Sequence, residues 1–386
     1  MYTRLLKPPR RSFFLLGPRA VGKSTWLQQH FAAALNFDLL QTDLRLTLLR
    51  DPTELRRRVE ARPAGSWVVI DEVQLMPGLL SEVHYLIEAG GYRFALSGSS
   101  ARKLRRGKAN LLAGRAIVRH MFPLTAAEIG PEAPLQAMVE RGTLPLVLAA
   151  DEDEWIDVLE AYALTYLREE IQAEALVRDL APFARFMQCA ALANAQVTNI
   201  SAIARDAGVQ RPTAQGYFQI LQDTLVGSLL PAWRPRARIK EQAHAKFYWF
   251  DSGVARAMRA DLRGPLAARD RGHLLETFVL SELRAHIHYA NLGGSLSYWR
   301  TPSGTEVDFV YTSPGGHHTA IEVKAAHRWR REDGDGLRQL HDGVPLARAW
   351  GVYMGEAALQ DSRVPLRILP LGEFLGHLAR GEVLAV

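Results

Sequence analysis

Over the first 150 residues, short apolar runs alternate with stretches of helical period, the pattern of a repeating βα unit. Runs at 12–16, 36–40, 67–71 and 92–97 are expected to be strands of one mostly parallel sheet with helices on both faces. From 151 to 260 the spacing turns helical: Trp155, Val158, Leu159, Tyr162 and Tyr166 recur at about one turn, and Phe183, Phe186 and Met187 open a further helix. From 261 onward, a helical stretch at Leu274–Leu283 precedes two strands, Thr305–Val310 and Ala320–Lys324. The pattern thus divides the chain into an α/β region at 1–150, a helical region at 151–260 and a second α/β region at 261–386.

Chemistry enters at the first strand. The loop after it reads Gly17, Pro18, Arg19, Ala20, Val21, Gly22, Lys23, Ser24, Thr25, which fits G-x-x-x-x-G-K-[ST]. A helical run, Trp26–Phe31, follows, so the motif has the strand–loop–helix setting that a phosphate-binding loop requires. Glycines let backbone N–H groups turn towards phosphate oxygens, and the helix N-terminus adds a favourable dipole. Lys23 would reach the β- and γ-phosphates of ATP, and Ser24 would ligate Mg²⁺. The third strand ends in Asp71-Glu72, where open α/β sheets bind their ligands. Asp71 is expected to hold the Mg²⁺ through water, and Glu72 to orient or deprotonate the attacking water. The fourth strand ends in small polar residues, Ser97 to Ser100, where the γ-phosphate would lie.

Composition changes this picture only in part. At 386 residues there is room for two or three domains. No apolar run approaches the ~18 residues that span a bilayer, so no membrane association is expected. The basic start followed by Ser12–Leu16 has the outline of a signal peptide, but the apolar run is too short and leads directly into the phosphate loop. A lone cysteine, Cys189, excludes an intrachain disulfide and fits a reducing cytoplasm. Forty-seven basic against 41 acidic residues leave a net charge of +6, compatible with a polyanionic partner such as DNA. Arg102, Lys103, Arg105, Arg106, Lys108, Arg115 and Arg119 fall in a stretch without acids from Gly98 onward. Such a run can be a solvated helix face, a patch for DNA phosphates, or a set of residues presented to a neighbouring subunit's nucleotide.

GPRAVGKST, VVIDEVQLMP, ALSGSS and LLAGRA, in this order and spacing, resemble bacterial and archaeal AAA-type ATPases whose ATPase domain is fused to a C-terminal domain of unassigned function. The resemblance extends over essentially the whole chain. It implies that Ser97 or Ser99 senses the γ-phosphate and that Arg115 is an arginine finger. AAA-type ATPases usually form rings with the finger acting in trans, so a homo-oligomer, a hexamer in the usual case, is also implied.

In the middle region Ile200–Gln210 leads into Arg211–Leu221 as a helix-turn-helix pattern. Ala204 is small enough to pack between helices, Gly208 supplies the turn, and Pro212 suits a first helical turn. Leu229–Phe250 would then form a wing carrying Arg234, Arg236, Arg238, Lys240 and Lys246. Arg211, Gln215 and Gln219 are placed to face a DNA groove. Winged helices in ATPases also serve as lids or protein contacts.

In the last region Glu276 shares a helix face with Val279, Leu280 and Leu283, an expensive place for an unpartnered carboxylate. Strict alternation sets Asp308 opposite Val307 and Phe309, and puts Glu322 and Lys324 together on one face. Glu276, Asp308 and Glu322-x-Lys324 resemble the PD-(D/E)xK nuclease pattern position by position. The resemblance implies Mg²⁺ or Mn²⁺ held by Asp308, Glu322 and the Val323 carbonyl, with Glu276 completing the shell and Lys324 positioning a water. The chain is therefore expected to be an oligomeric ATPase that remodels, translocates along or unwinds DNA as a helicase does, with or without metal-dependent cleavage. The alternative is a nucleotide-driven signalling or defence switch that binds protein through its winged-helix and C-terminal parts.

Overall fold

In the computed structural model, β1 (Phe13–Leu16), β2 (Leu35–Asp38), β3 (Trp67–Asp71), β4 (Arg93–Gly98) and β5 (Ile117–His120) form one sheet in the order β2-β3-β4-β1-β5, every pairing parallel. Parallel neighbours need crossovers, and α1 (Lys23–His30), α2 (Thr42–Arg50), α3 (Thr53–Glu60) and α4 (Leu80–Gly90) lie in the connections between strands. β1 is buried along its whole length, and β3 and β4 beyond their first residue. This explains the unbroken apolar runs, since a central strand covered on both faces has no solvent side to alternate towards. Phe14, Phe37, Ile70, Phe94 and Leu96 anchor the core, and α4 stops at Gly91, whose φ of 64° suits a left-handed cap. β5 was not among the expected strands. Its four residues are half polar, it occupies the sheet edge, and Val118 is 48% exposed. Arg119, the last residue of the basic stretch, lies on this edge strand and not on a helix face.

The structure describes residues 2–100, 112, 114–166, 180–234, 244–361 and 364–384. Thr3–Phe122 with Asp223–Val226 form one compact unit, and the remainder forms a second. Arg102, Lys103, Arg105, Arg106 and Lys108, as well as Arg236, Arg238 and Lys240, lie outside the described residues.

The second unit begins with short helices between 126 and 160, then α5 (Leu180–Leu192), α6 (Ile200–Asp206) and α7 (Arg211–Asp223). Asn199 caps α6 by accepting the Ala202 N–H at 3.1 Å, and Gly208, at φ 68°, turns the chain into α7. Ala204 and Ala214 are buried on these two helices. Strands β6 (Gln196–Val197), β7 (Gly227–Leu230) and β8 (Lys246–Trp249) make a small antiparallel sheet with β8 at its centre. After α8 (Ser252–Met258) and α9 (Ala268–Tyr289) comes a mixed sheet of β9 (Ser295–Arg300), β10 (Glu306–Thr312), β11 (His318–Lys324), β12 (Arg348–Tyr353), β13 (Leu359–Asp361) and β14 (Leu366–Pro370). Its order is β13-β14-β12-β11-β10-β9, with α10 (Asp335–Gly343) and α11 (Leu371–Ala379) packed on it. Leu337 and Leu340 of α10 join Val310, Ala320 and Ala349 in one core, and Trp350 meets Phe374 of α11.

A buried carboxyl, Asp251, ties the second unit together. It accepts the Val254 N–H at 3.0 Å, capping α8, and the Thr143 N–H at 2.8 Å. Burial outweighs these hydrogen bonds and raises its pKa to about 6. A carboxyl raised in the folded state stabilises while protonated, and that contribution is lost as pH climbs through the folded pKa. Ionisation should therefore remove about 3 kcal/mol between pH ~4 and pH ~7. The thermal midpoint of the wild type is expected to fall relative to Asp251→Asn over this interval. A difference that stays constant with pH would remove Asp251 from the balance.

Candidate functional site

The carboxyl ends of β1, β3 and β4 converge on one edge of the N-terminal sheet. The register sets Leu15 beside Ser97 and Ile70 beside Leu96, so the loop after β1, Asp71 and Ser97 are brought to the same place. Gly17 must be glycine: a Cβ there would lie 2.4 Å from the Met121 carbonyl oxygen. Gly22, at φ 93°, turns the loop into α1, while Ala20 takes the same left-handed region at φ 62°. Pro18 and Val21 are buried, Arg19 and Ala20 form a half-exposed crown, and Thr25 is exposed. Lys23 is 5% exposed and donates to the Gly17 and Pro18 carbonyls at 2.8 and 2.9 Å, so its ammonium lies across the loop. Ser24 and Asp71 line one cavity of about 260 Å³. A hydroxyl and a carboxylate facing the same space suit a hard cation, and these two residues would hold Mg²⁺ alongside a nucleotide.

A hydrogen-bonded relay runs along this edge. Ser97 Oγ donates to Asp71 Oδ1 and accepts the Glu72 N–H at 3.0 Å. Gln74 donates to both Glu72 Oε2 and Ser99 Oγ, the latter at 3.0 Å. Glu72 has φ 59°, a left-handed conformation that a non-glycine residue holds only where its surroundings enforce it. Gln74, 3% exposed, was not singled out in the sequence, although a polar residue within an apolar turn was the available signal.

Arg115 lies elsewhere. In a parallel sheet, residues preceding strands occupy the edge opposite to those following them. Arg115 precedes β5, and its ion-pair partner Glu88 lies near the end of α4, just before β4. Both belong to the amino edge, away from the loop that follows β1.

Strand–loop–helix geometry with an acidic strand end defines a P-loop nucleotide-binding domain. Residues 9–130 match the family described as an AAA domain, which supports an AAA-type ATPase region at the N-terminus and implies ATP as its nucleotide. Residues 133–264 and 271–374 match two domains of unknown function, DUF8612 and DUF4143. No curated protein matches the sequence. Among solved structures, Can2 from Sulfobacillus thermosulfidooxidans in complex with cyclic tetra-adenylate is similar at 12% identity, over 97% of this chain and 100% of that one. Its TM-score is 0.23, too low to carry an argument. Among the described residues, no helix is long and apolar enough to cross a membrane.

In the second unit α9, β10 and β11 bring Glu276, Asp308, Glu322 and Lys324 together. Asp308 Oδ2 accepts the Val323 N–H at 2.9 Å, while Glu322 Oε2 accepts the Asp308 N–H at 3.3 Å. Carboxylates thus take over from the backbone where the β10–β11 ladder ends. Lys324 Nζ pairs with Glu322 Oε1 at 2.5 Å. Strict alternation along β10, the expectation for Asp308, is broken by a bulge between Val307 and Val310, and both of those residues pack into the same core. Lys246, expected among the basic residues of a wing, is 3% exposed on β8 and sits among the acids. Its Nζ lies 3.3 Å from Glu276 Oε2 and 3.5 Å from Asp308 Oδ1, and it also pairs with Glu306. Tyr248 donates to the same Glu276 oxygen at 3.0 Å.

Electrostatics follow from this crowding. Burial, then the neighbouring Asp308 carboxylate, raise the pKa of both Glu276 and Glu322. Burial works to lower the Lys246 pKa, but Tyr248, Glu276, Asp308 and Glu306 together raise it well above its ordinary value. Lys324 is likewise raised, burial being outweighed by Glu322 and Asp308. The residues as they stand do not fit a divalent ion. Ligand oxygens would need to converge at about 2.0–2.6 Å, and an ammonium occupies their midst. Among the described residues, no group of three or more His, Cys, Asp or Glu side chains is arranged to hold a metal.

Proposed function

We propose that the chain is an oligomeric, ATP-hydrolysing protein that acts on DNA, remodelling it, moving along it or unwinding it. The ATPase half of this reading rests on the nucleotide site above. The DNA half rests on one observation: Arg211, Gln215 and Gln219 are exposed at four-residue intervals along α7, while Ala214, Phe218 and Ile220 are buried. Two helices joined by a short turn and followed by a small antiparallel sheet are the arrangement of a winged helix, whose second helix presents such side chains to a groove. The second α/β region is read as a PD-(D/E)xK-like fold from its strand pair and its Glu276, Asp308, Glu322 and Lys324 cluster.

ATP turnover measured with and without single-stranded, duplex and branched DNA tests the proposal. DNA is expected to accelerate turnover, and its binding to weaken steeply with salt as counterions are released less favourably. Arg211→Glu should weaken DNA binding at least about tenfold. Turnover indifferent to every DNA, with Arg211→Glu unchanged, would favour a nucleotide-driven switch that binds protein instead.

A further inference from the structure

We propose that the Lys246 ammonium is the resident cation of the carboxylate cluster in the second unit, standing where a divalent metal would stand, so that this domain binds without cutting. An ammonium carries three N–H donors, and three carboxylates, Glu276, Glu306 and Asp308, surround this one. Its Nζ lies 3.3 Å from Glu276 Oε2 and 3.5 Å from Asp308 Oδ1 and pairs with Glu306 as well, so all three carboxylates face the one ammonium. Other oxygens of the cluster are already engaged. Asp308 Oδ2 is taken by the Val323 N–H, and the two Glu322 oxygens by Lys324 and the Asp308 N–H.

Lys246 is fixed in this position by its strand. It opens β8, pairs in register with Leu230 of β7 and Val197 of β6, and lies 5.5 Å from the centre of the Tyr298 ring. Its backbone is thereby held at the centre of the small sheet, and its side chain is buried there. A divalent ion entering the cluster would meet a positive charge held at its centre in a buried, poorly screened setting. The ammonium also ties β8 to α9 and β10, so the cluster joins the small sheet to the large one. A role in positioning follows in place of a role in hydrolysis.

Mn²⁺ alone is the probe, titrated by electron paramagnetic resonance into the full chain carrying Ser24→Ala and Asp71→Asn, which remove the nucleotide-site metal. No Mn²⁺ site should be seen up to millimolar concentration. Adding Lys246→Gln should create one site per chain, and further adding Asp308→Asn should abolish it. Binding by the Lys246-intact protein that disappears with Asp308→Asn would overturn the proposal, as would a folded Lys246→Gln protein that gains no site. If Lys246→Gln does not fold, plasmid DNA decides. The wild type should leave supercoiled plasmid intact in Mg²⁺ and in Mn²⁺, and nicking that vanishes in both Asp308→Asn and Lys324→Ala would overturn the proposal.

Discussion

Glu72→Gln is expected to bind ATP near normally and to hydrolyse it about 10²–10⁴-fold more slowly, the range for losing a general base. Glu72 directly follows β3, and its backbone is pinned by the bond from its N–H to Ser97 Oγ. A left-handed conformation at a non-glycine residue costs about 1–3 kcal/mol, which the sheet edge sustains. The carboxylate meets the Gln74 amide, so its direction is set from both ends. An amide side chain there keeps the shape and loses the basicity. Lys23→Ala should fail one step earlier, at binding, because its buried ammonium is the charge poised over the loop. Binding of a fluorescent ATP analogue and release of inorganic phosphate separate the two outcomes. Near-normal hydrolysis by Glu72→Gln would transfer the role of base to another group.

What the sequence made legible follows the range over which each feature is encoded. The phosphate loop and Asp71-Glu72 are local, carried by a few adjacent residues whose strand context is written in the same run. The cluster of Glu276, Asp308, Glu322 and Lys324 was also traceable, because strand alternation and helix faces are periodic. β5 escaped because an edge strand with one side in solvent needs little hydrophobic patterning, and Ile117-Val118-Arg119-His120 has little. The bulge beside Asp308 escaped, because nothing in the run Val307–Val310 marks a break in the period of two. Lys246 escaped for a third reason. Its partners lie 30 to 62 positions away, and among Arg234, Arg236, Arg238 and Lys240 it reads as one more basic wing residue. Only tertiary packing distinguishes a buried cation from an exposed one.

Arg115→Ala should still bind ATP yet hydrolyse it at least about 10³-fold more slowly, the lower range for arginine fingers. The strand order makes this a statement about two subunits. Arg115 lies before β5 on the amino edge, and this subunit's own phosphate loop follows β1 on the carboxyl edge. A guanidinium so placed can neutralise charge on a γ-phosphate only in a neighbouring copy. Its pair with Glu88 is no obstacle, because the side chains are 36% and 52% exposed and such surface pairs are worth about 0–1 kcal/mol. Arg115→Lys should rescue poorly, since an ammonium lacks the planar fork that meets two phosphate oxygens. Mixing Arg115→Ala with Lys23→Ala protein should restore part of the activity once subunits exchange. An intact site then forms between the Arg115 of one variant and the Lys23 of the other. Turnover should stay absent immediately after mixing and rise as the oligomers re-equilibrate. Full activity of Arg115→Ala as a monomer would dispose of both the finger and the ring.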